Sequence, residues 1–143
     1  PRVVVKEKTN FRHATTDLFE YELPNIATID VSFISLKLIF EPLKDILNDG
    51  DDIVALIKPQ FEAGREDVGK KGIVKDAKIH QRVIENVISY ANECQFSIQN
   101  LTYSPITGGE GNIEFLAHFK VGGTNSLLQV EQVVQEAHDC FKG

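Results

Sequence analysis

Three charged residues stand where their types and spacing could do chemistry. Asp30 and Lys58 each end an otherwise apolar run, Asn25–Asp30 (NIATID) and Asp52–Ile57 (DIVALI). Continuous apolar runs of this kind suit strands covered on both faces in a parallel sheet. One helix-spaced segment separates them, so neighbouring strands would bring both side chains to the carboxyl edge, about 5 Å apart laterally. Ligands of open α/β sheets bind at that edge. A plain salt bridge between two strand ends fits the same spacing, and spacing alone leaves both readings open. Glu114 follows a glycine-rich turn at the start of the final strand. If that strand is antiparallel, its start lies at the same edge, and three charged groups converge on one crevice. A solvated glutamate at a strand start is the plainer alternative.

The elements that must position these residues follow from periodicity. Arg2–Lys6 (RVVVK) is a short β-branched strand. Leu36, Ile39, Leu43, Ile46 and Leu47 follow helical spacing over Leu36–Asn48, with Pro42 either kinking that helix or starting a second one. Strand, helix, strand is a βαβ unit with a right-handed crossover. Pro59–Lys75 carries three glycines and no period, as a long, mobile, functional loop would. Asp76 caps a helix running to about Glu93. Phe96–Tyr103 alternates as a strand with one slip in register, and Ile113–Val121 is its antiparallel partner across the breaker-rich Ser104–Asn112. A closing helix starts at about Ser126, with Leu127, Val130, Val134, Ala137 and Phe141 on one face. The expected architecture is a mixed α/β sheet, parallel at first and closing with an antiparallel hairpin, with helices on both faces.

Composition narrows the function classes. The chain has 143 residues, 42% hydrophobic and 25% charged, which is ordinary for one globular domain. No apolar run approaches the about 18 residues of a membrane span. Two cysteines, Cys94 and Cys140, are too few for a disulfide framework and fit a reducing, cytoplasmic setting. The net charge of −6 argues against indiscriminate binding of nucleic acid or anionic membrane. The charge is uneven, however: residues 58–82 hold seven basic residues against four acids. A solvated loop and helix face and a phosphate-binding surface are both compatible with that window. The four histidines suggest no site, no metal is expected, and P-loop, GxGxxG and GxSxG motifs are absent.

Longer strings carry more. Asp30-Val31-Ser32-Phe33-Ile34-Ser35-Leu36, Leu56–Arg65 (LIKPQFEAGR) and Ser104–Gly108 with Gly111–Phe115 (GNIEF) resemble, in order, the TlyA or hemolysin A family of FtsJ-like ribosomal RNA 2′-O-methyltransferases. The resemblance runs from Arg2 to about Lys120. It implies a Rossmann-like fold, S-adenosylmethionine as cofactor, ribosomal RNA or ribosomal subunits as partner, and a Lys-Asp-Lys-Glu tetrad. Asp30, Lys58 and Glu114 match its Asp, second Lys and Glu; its first Lys and its glycine-rich cofactor loop have no counterpart here. The implied roles are Lys58 facing the 2′-hydroxyl, as base or as orienting group, Asp30 positioning Lys58 and the methyl end of the cofactor, and Glu114 orienting the lysines. Asp30 and Ser32, with Thr9 and Asn10 near the adenine, would bind the cofactor. Arg65, Lys70 and Lys71 would contact RNA phosphates.

Two other classes stand beside this one. The hemolysin name suggests a membrane-active protein, but the best amphipathic helix, Ser126–Lys142, is acidic, whereas a lytic helix is cationic. A binding module that has lost catalysis is the other, and the presence of all three charged residues counts against it. Methyltransferases of the resembled class order their strands 3-2-1-4-5-7-6, and this chain supplies strands 3 to 7. With no Met and a start at Pro1, it is expected to be the carboxyl-terminal part, residues 1–143, of a longer methyltransferase domain.

Overall fold

A computed structural model describes residues 26–69 and 71–141. The strand expected at Arg2–Lys6, and Thr9, Asn10 and Lys70, lie outside them. Four strands form one sheet: β1 (Ile26–Ile29), β2 (Asp52–Ile57), β3 (Phe96–Tyr103) and β4 (Phe115–Val121), in the order β1-β2-β4-β3. β1 and β2 are parallel, and β4 runs antiparallel to both β2 and β3. This is the 4-5-7-6 portion of the expected order. The slip read in Phe96–Tyr103 is a bulge between Ile98 and Asn100, which returns Leu101 to the apolar face of Phe96 and Ile98.

Alternation in β2 and β4 separates the two faces of the sheet. Ile53, Ala55, Ile57, Phe115, Ala117, Phe119 and Val121 are buried, while Val54, Leu56, His118 and Lys120 are half-buried and Leu116 is exposed. The helices α1 (Leu36–Ile46), α3 (Ala77–Glu93) and α4 (Val130–Cys140) cover the buried face. Phe40 of α1 meets Phe96 and Phe119 edge-on, with ring centroids 5.7 and 5.5 Å apart. His80 of α3 lies against Phe115, and Phe141, which ends α4, against Tyr103. Of the two helical layers expected, the described residues hold this one. Pro42 sits inside α1 without dividing it.

Two sequence expectations change. The closing helix begins at Val130, not Ser126, because residues 125–126 serve the sheet: Asn125 Oδ1 accepts from Ile98 N at 2.9 Å, and Ser126 N donates to Ile98 O at 2.8 Å. The bulge leaves Ile98 needing those partners, and Leu127, assigned to the buried stripe, is fully exposed. The connection Pro59–Lys75, aperiodic in sequence, holds short regular structure. It contains the short helix α2 (Pro59–Glu62) and a 3-10 turn at Arg65–Asp67, and Arg82 of α3 pairs with Asp67.

Val74 anchors the far end of that connection. Its N–H donates to Asn112 Oδ1 at 2.9 Å, and its carbonyl accepts from His80 Nε2 at 2.9 Å. With His80 Nε2 as the donor, Nδ1 is left to accept from His138 Nε2, 2.8 Å away on α4. Nothing in the sequence pairs these two histidines, which stand 58 residues apart. His80 is fully buried, and burial pushes its pKa below 6.5. A depressed folded-state value means that the unfolded chain takes up the proton first. The stability His80 supports is therefore complete above about pH 6.5 and is lost as the pH falls below it. Chemical denaturation of the full-length protein should show declining stability from pH 7 to pH 5, and His80→Gln, which takes up no proton, should flatten that slope.

Candidate functional site

One five-residue turn at the end of β2 reaches in three directions. Lys58 reaches back to the end of β1: its Nζ lies 2.5 Å from Asp30 Oδ1 and donates to Ser32 Oγ at 3.3 Å. Gln60 reaches to the start of β4, where its Nε2 donates to Glu114 Oε2 at 2.9 Å. Glu62 reaches to the start of α1, accepting from Ser35 Oγ at 2.7 Å and from the Leu36 N–H at 2.8 Å. Pro59 in the first turn of α2 sets the direction of the turn, because its fixed φ suits that position and its missing N–H costs the helix nothing.

These contacts follow from the elements they join. β1 and β2 are parallel neighbours in the register Ile29↔Ala55, so both chains leave the sheet at the same edge. β4 enters at that edge, with Phe115 opposite Ile57, which sets Glu114 beside the residues following β2. Ser35 caps α1 by accepting from Lys37 N at 3.1 Å, and Glu62 adds a second acceptor for the helix's unpaired donors. Burial pushes the Glu62 carboxyl above its ordinary value, against the opposite pull of the Ser35 and Leu36 hydrogen bonds.

The three charged residues singled out in the sequence thus lie along one edge. The Lys58 side chain is 13% exposed and that of Asp30 65%, so the ammonium is largely withdrawn from water beside an accessible carboxylate. Glu114 is buried, and its side-chain hydrogen bond goes to Gln60 rather than to Lys58. Ser32 is exposed next to Asp30. These accessible acceptors at the carboxyl end of β1 suit a cationic or hydroxyl-bearing ligand. Among the described residues no group of three or more His, Cys, Asp or Glu side chains could hold a metal ion. Arg65 and Lys71, with Lys75 and Lys78, are exposed and form no ion pair among the described residues. Arg82 is occupied by Asp67.

The site contains more than the charged residues. Phe33 is 89% exposed at φ +65°, a left-handed conformation that is an outlier for a bulky residue, and its ring lies 4.9 Å from that of Phe61. Such strain costs of order 1–3 kcal/mol and concentrates at functional sites. A signal was present in the sequence: Phe33 is a large aromatic between a strand and a helix, outside either apolar pattern. Gln60 Oε1 is the one buried side-chain nitrogen or oxygen without a partner among the described residues, at a cost of about 1–3 kcal/mol. Asn112 ties the two loops of the site together. Beyond its bond to Val74, its Nδ2 donates to Gly72 O at 2.8 Å and to Gly109 O at 2.9 Å. No periodicity signals these last two roles, because both are contacts between distant loops.

Residues 1–121 match the profile of the FtsJ-like methyltransferase family. A Bacillus subtilis protein, YqxC, provisionally named an rRNA methyltransferase, is 51% identical over 99% of this chain and 52% of its own length. Hemolysin A of Brachyspira hyodysenteriae is 44% identical over 82% of this chain and 49% of its own length. The 16S/23S rRNA (cytidine-2′-O)-methyltransferase TlyA of Mycobacterium tuberculosis is 36% identical over 80% of this chain and 42% of its own. The solved structure of a protein from Streptococcus thermophilus, provisionally named a hemolysin, superposes with a TM-score of 0.90 at 50% identity, over 94% of this chain and 50% of that one. The chain spans about half the length of the curated relatives it matches.

Glu114 is seated by the absence of a side chain at Gly108. A Cβ on Gly108 would fall 1.9 Å from Glu114 Oε2, whereas one on Gly109 would meet nothing within 4 Å. Gly108→Ala should therefore displace the carboxylate and cost about 1–3 kcal/mol of stability. Gly109→Ala should leave the carboxylate in place, and denaturant unfolding with a crystal structure of each variant would check both.

Proposed function

The chain belongs to the FtsJ-like methyltransferase family, and on that premise we propose that Asp30, Lys58 and Glu114 serve methyl transfer from S-adenosylmethionine to a ribose 2′-hydroxyl of ribosomal RNA. The observation that carries the reading is the Lys58–Asp30 ion pair at the carboxyl edge of the sheet, formed by a largely withdrawn ammonium and an accessible carboxylate. The cofactor supplies, when bound, an electrophilic methyl group on a sulfonium. Asp30 and Ser32 would line its place at the end of β1, with Thr9 and Asn10 assigned to it by family resemblance alone. An in-line displacement asks the protein chiefly for alignment. Lys58, held by Asp30 and Ser32, faces the 2′-oxygen as the base that takes its proton or as the group that orients it, and the Glu114 carboxyl lies along the same edge.

The surroundings suit an RNA substrate. Arg65 and Lys71 are exposed in the connection that begins with the Lys58 turn, and the resemblance adds Lys70; exposed cations favour the phosphate backbone. The exposed Phe33 ring is a platform on which an unstacked base could rest. The lytic reading suggested by the hemolysin names gains nothing from α4, which carries Glu131, Glu136 and Asp139 and no lysine or arginine. No helix among the described residues is long and apolar enough to cross a membrane.

The experiment is transfer of labelled methyl from S-adenosylmethionine to ribosomal subunits by the full-length protein. The 2′ position is read as resistance of the modified linkage to alkaline cleavage. Lys58→Ala should lower turnover by on the order of 100-fold or more with the thermal midpoint of unfolding little changed. Undiminished transfer by that variant would sink the assignment.

A further inference from the structure

We infer that Gln60 is a positioning residue of this site, whose neutral amide grips one oxygen of Glu114 while leaving the charge of that carboxylate intact. The inference rests on the methyl-transfer reading above. Gln60 Nε2 donates to Glu114 Oε2 at 2.9 Å, joining residues 54 apart in sequence. The orientation of the amide is dictated by chemistry, since an ionised carboxylate only accepts and the nitrogen must face it. That orientation strands Gln60 Oε1, which is buried without a donor among the described residues.

A residue chosen for stability alone would not be left this way. An apolar side chain of similar length would remove the orphan oxygen, although it would also leave Glu114 without its donor. A lysine or arginine would satisfy Glu114 but cancel its charge beside Lys58. A glutamate would set two carboxylates on one hydrogen bond, where one must hold a proton. Of these only an amide donates and stays neutral. The backbone restricts Gln60 to this task, because its neighbours in the same turn are committed elsewhere: Lys58 to Asp30 and Ser32, and Glu62 to Ser35 and Leu36. Gly108 lies against the same oxygen of Glu114, with no room for a Cβ. An amide and a backbone thus both meet Oε2.

The test is the pH profile of methyl transfer by the full-length protein and its variants. In Gln60→Glu, the new carboxyl can replace the amide as donor only when the pair with Glu114 holds a proton. The titratable groups on the elements that meet that pair are Lys58 and Glu62 of the same turn, with Asp30 paired to Lys58. Turnover should be on the order of 100-fold below that of the unaltered protein at about pH 9, recovering to within about tenfold near pH 6, with KM for S-adenosylmethionine within about twofold throughout. Gln60→Met should lose turnover at every pH without acid recovery. Independently of activity, the Gln60 side-chain amide protons, read by NMR, should exchange slowly in the unaltered protein and rapidly in Glu114→Ala. A Gln60→Glu profile that tracks the unaltered protein, or amide protons indifferent to Glu114→Ala, overturns the inference. Absence of transfer by the unaltered protein overturns instead the reading on which it rests.

Discussion

The antiparallel register between β2 and β4 is the constraint on which the rest depends. Ile57 opposite Phe115 places the residue before β4 beside the residue after β2, and so brings Glu114 to the turn that carries Lys58. The same register turns Phe115, Ala117 and Phe119 toward the helices. Because side chains alternate with period two, a slip of one residue would expose that row and carry Glu114 away from Gln60 in the same step. The core and the site are consequently specified by one set of backbone hydrogen bonds.

Upon that register the molecule adds local fastenings, each joining elements remote in sequence. The α2 turn ties β1, β4 and α1 through Lys58, Gln60 and Glu62. Asn112 ties the loop preceding β4 to the loop preceding α3, and His80 and His138 extend the chain of bonds to α4. Buried polar groups are costly unless partnered. Among the described residues, those at this edge are partnered with one exception, Gln60 Oε1. Exposed cations and the exposed ring of Phe33 lie outside this frame, where a large anionic ligand could meet them.

Much of this was legible in the sequence, and what was not has a common cause. Strands and helices with a clear apolar period were readable to within a few residues, including the bulge in β3 and the Asp76 cap. The convergence of Asp30, Lys58 and Glu114 followed from strand order, because a strand end is located by topology as well as by side chain. Gln60, Asn112 and the His80–His138 pair escaped, since a hydrogen bond across 38 to 58 residues leaves no trace in periodicity. Leu127 was misread for a related reason: its spacing fits the α4 stripe, but the backbone just before it is engaged at the bulge. The glycines of Pro59–Lys75 hide any period, whereas the contacts that fasten Asp67 and Val74 run to Arg82, Asn112 and His80.

The place of β4 in the sheet also bears on how the protein is made. β4 lies between β2 and β3, yet it is synthesised after both, and its bond from Lys120 back to Asp52 spans 68 residues. A nascent chain that has reached only β3 already contains Asp30 and Lys58, but the edge of β2 that β4 will occupy is unpaired, on an apolar strand of the kind that invites pairing with other chains. The four-stranded sheet and Glu114 arrive together when that gap is filled. Synthesis therefore passes through an aggregation-exposed interval that ends with the same step that brings Glu114 beside Gln60.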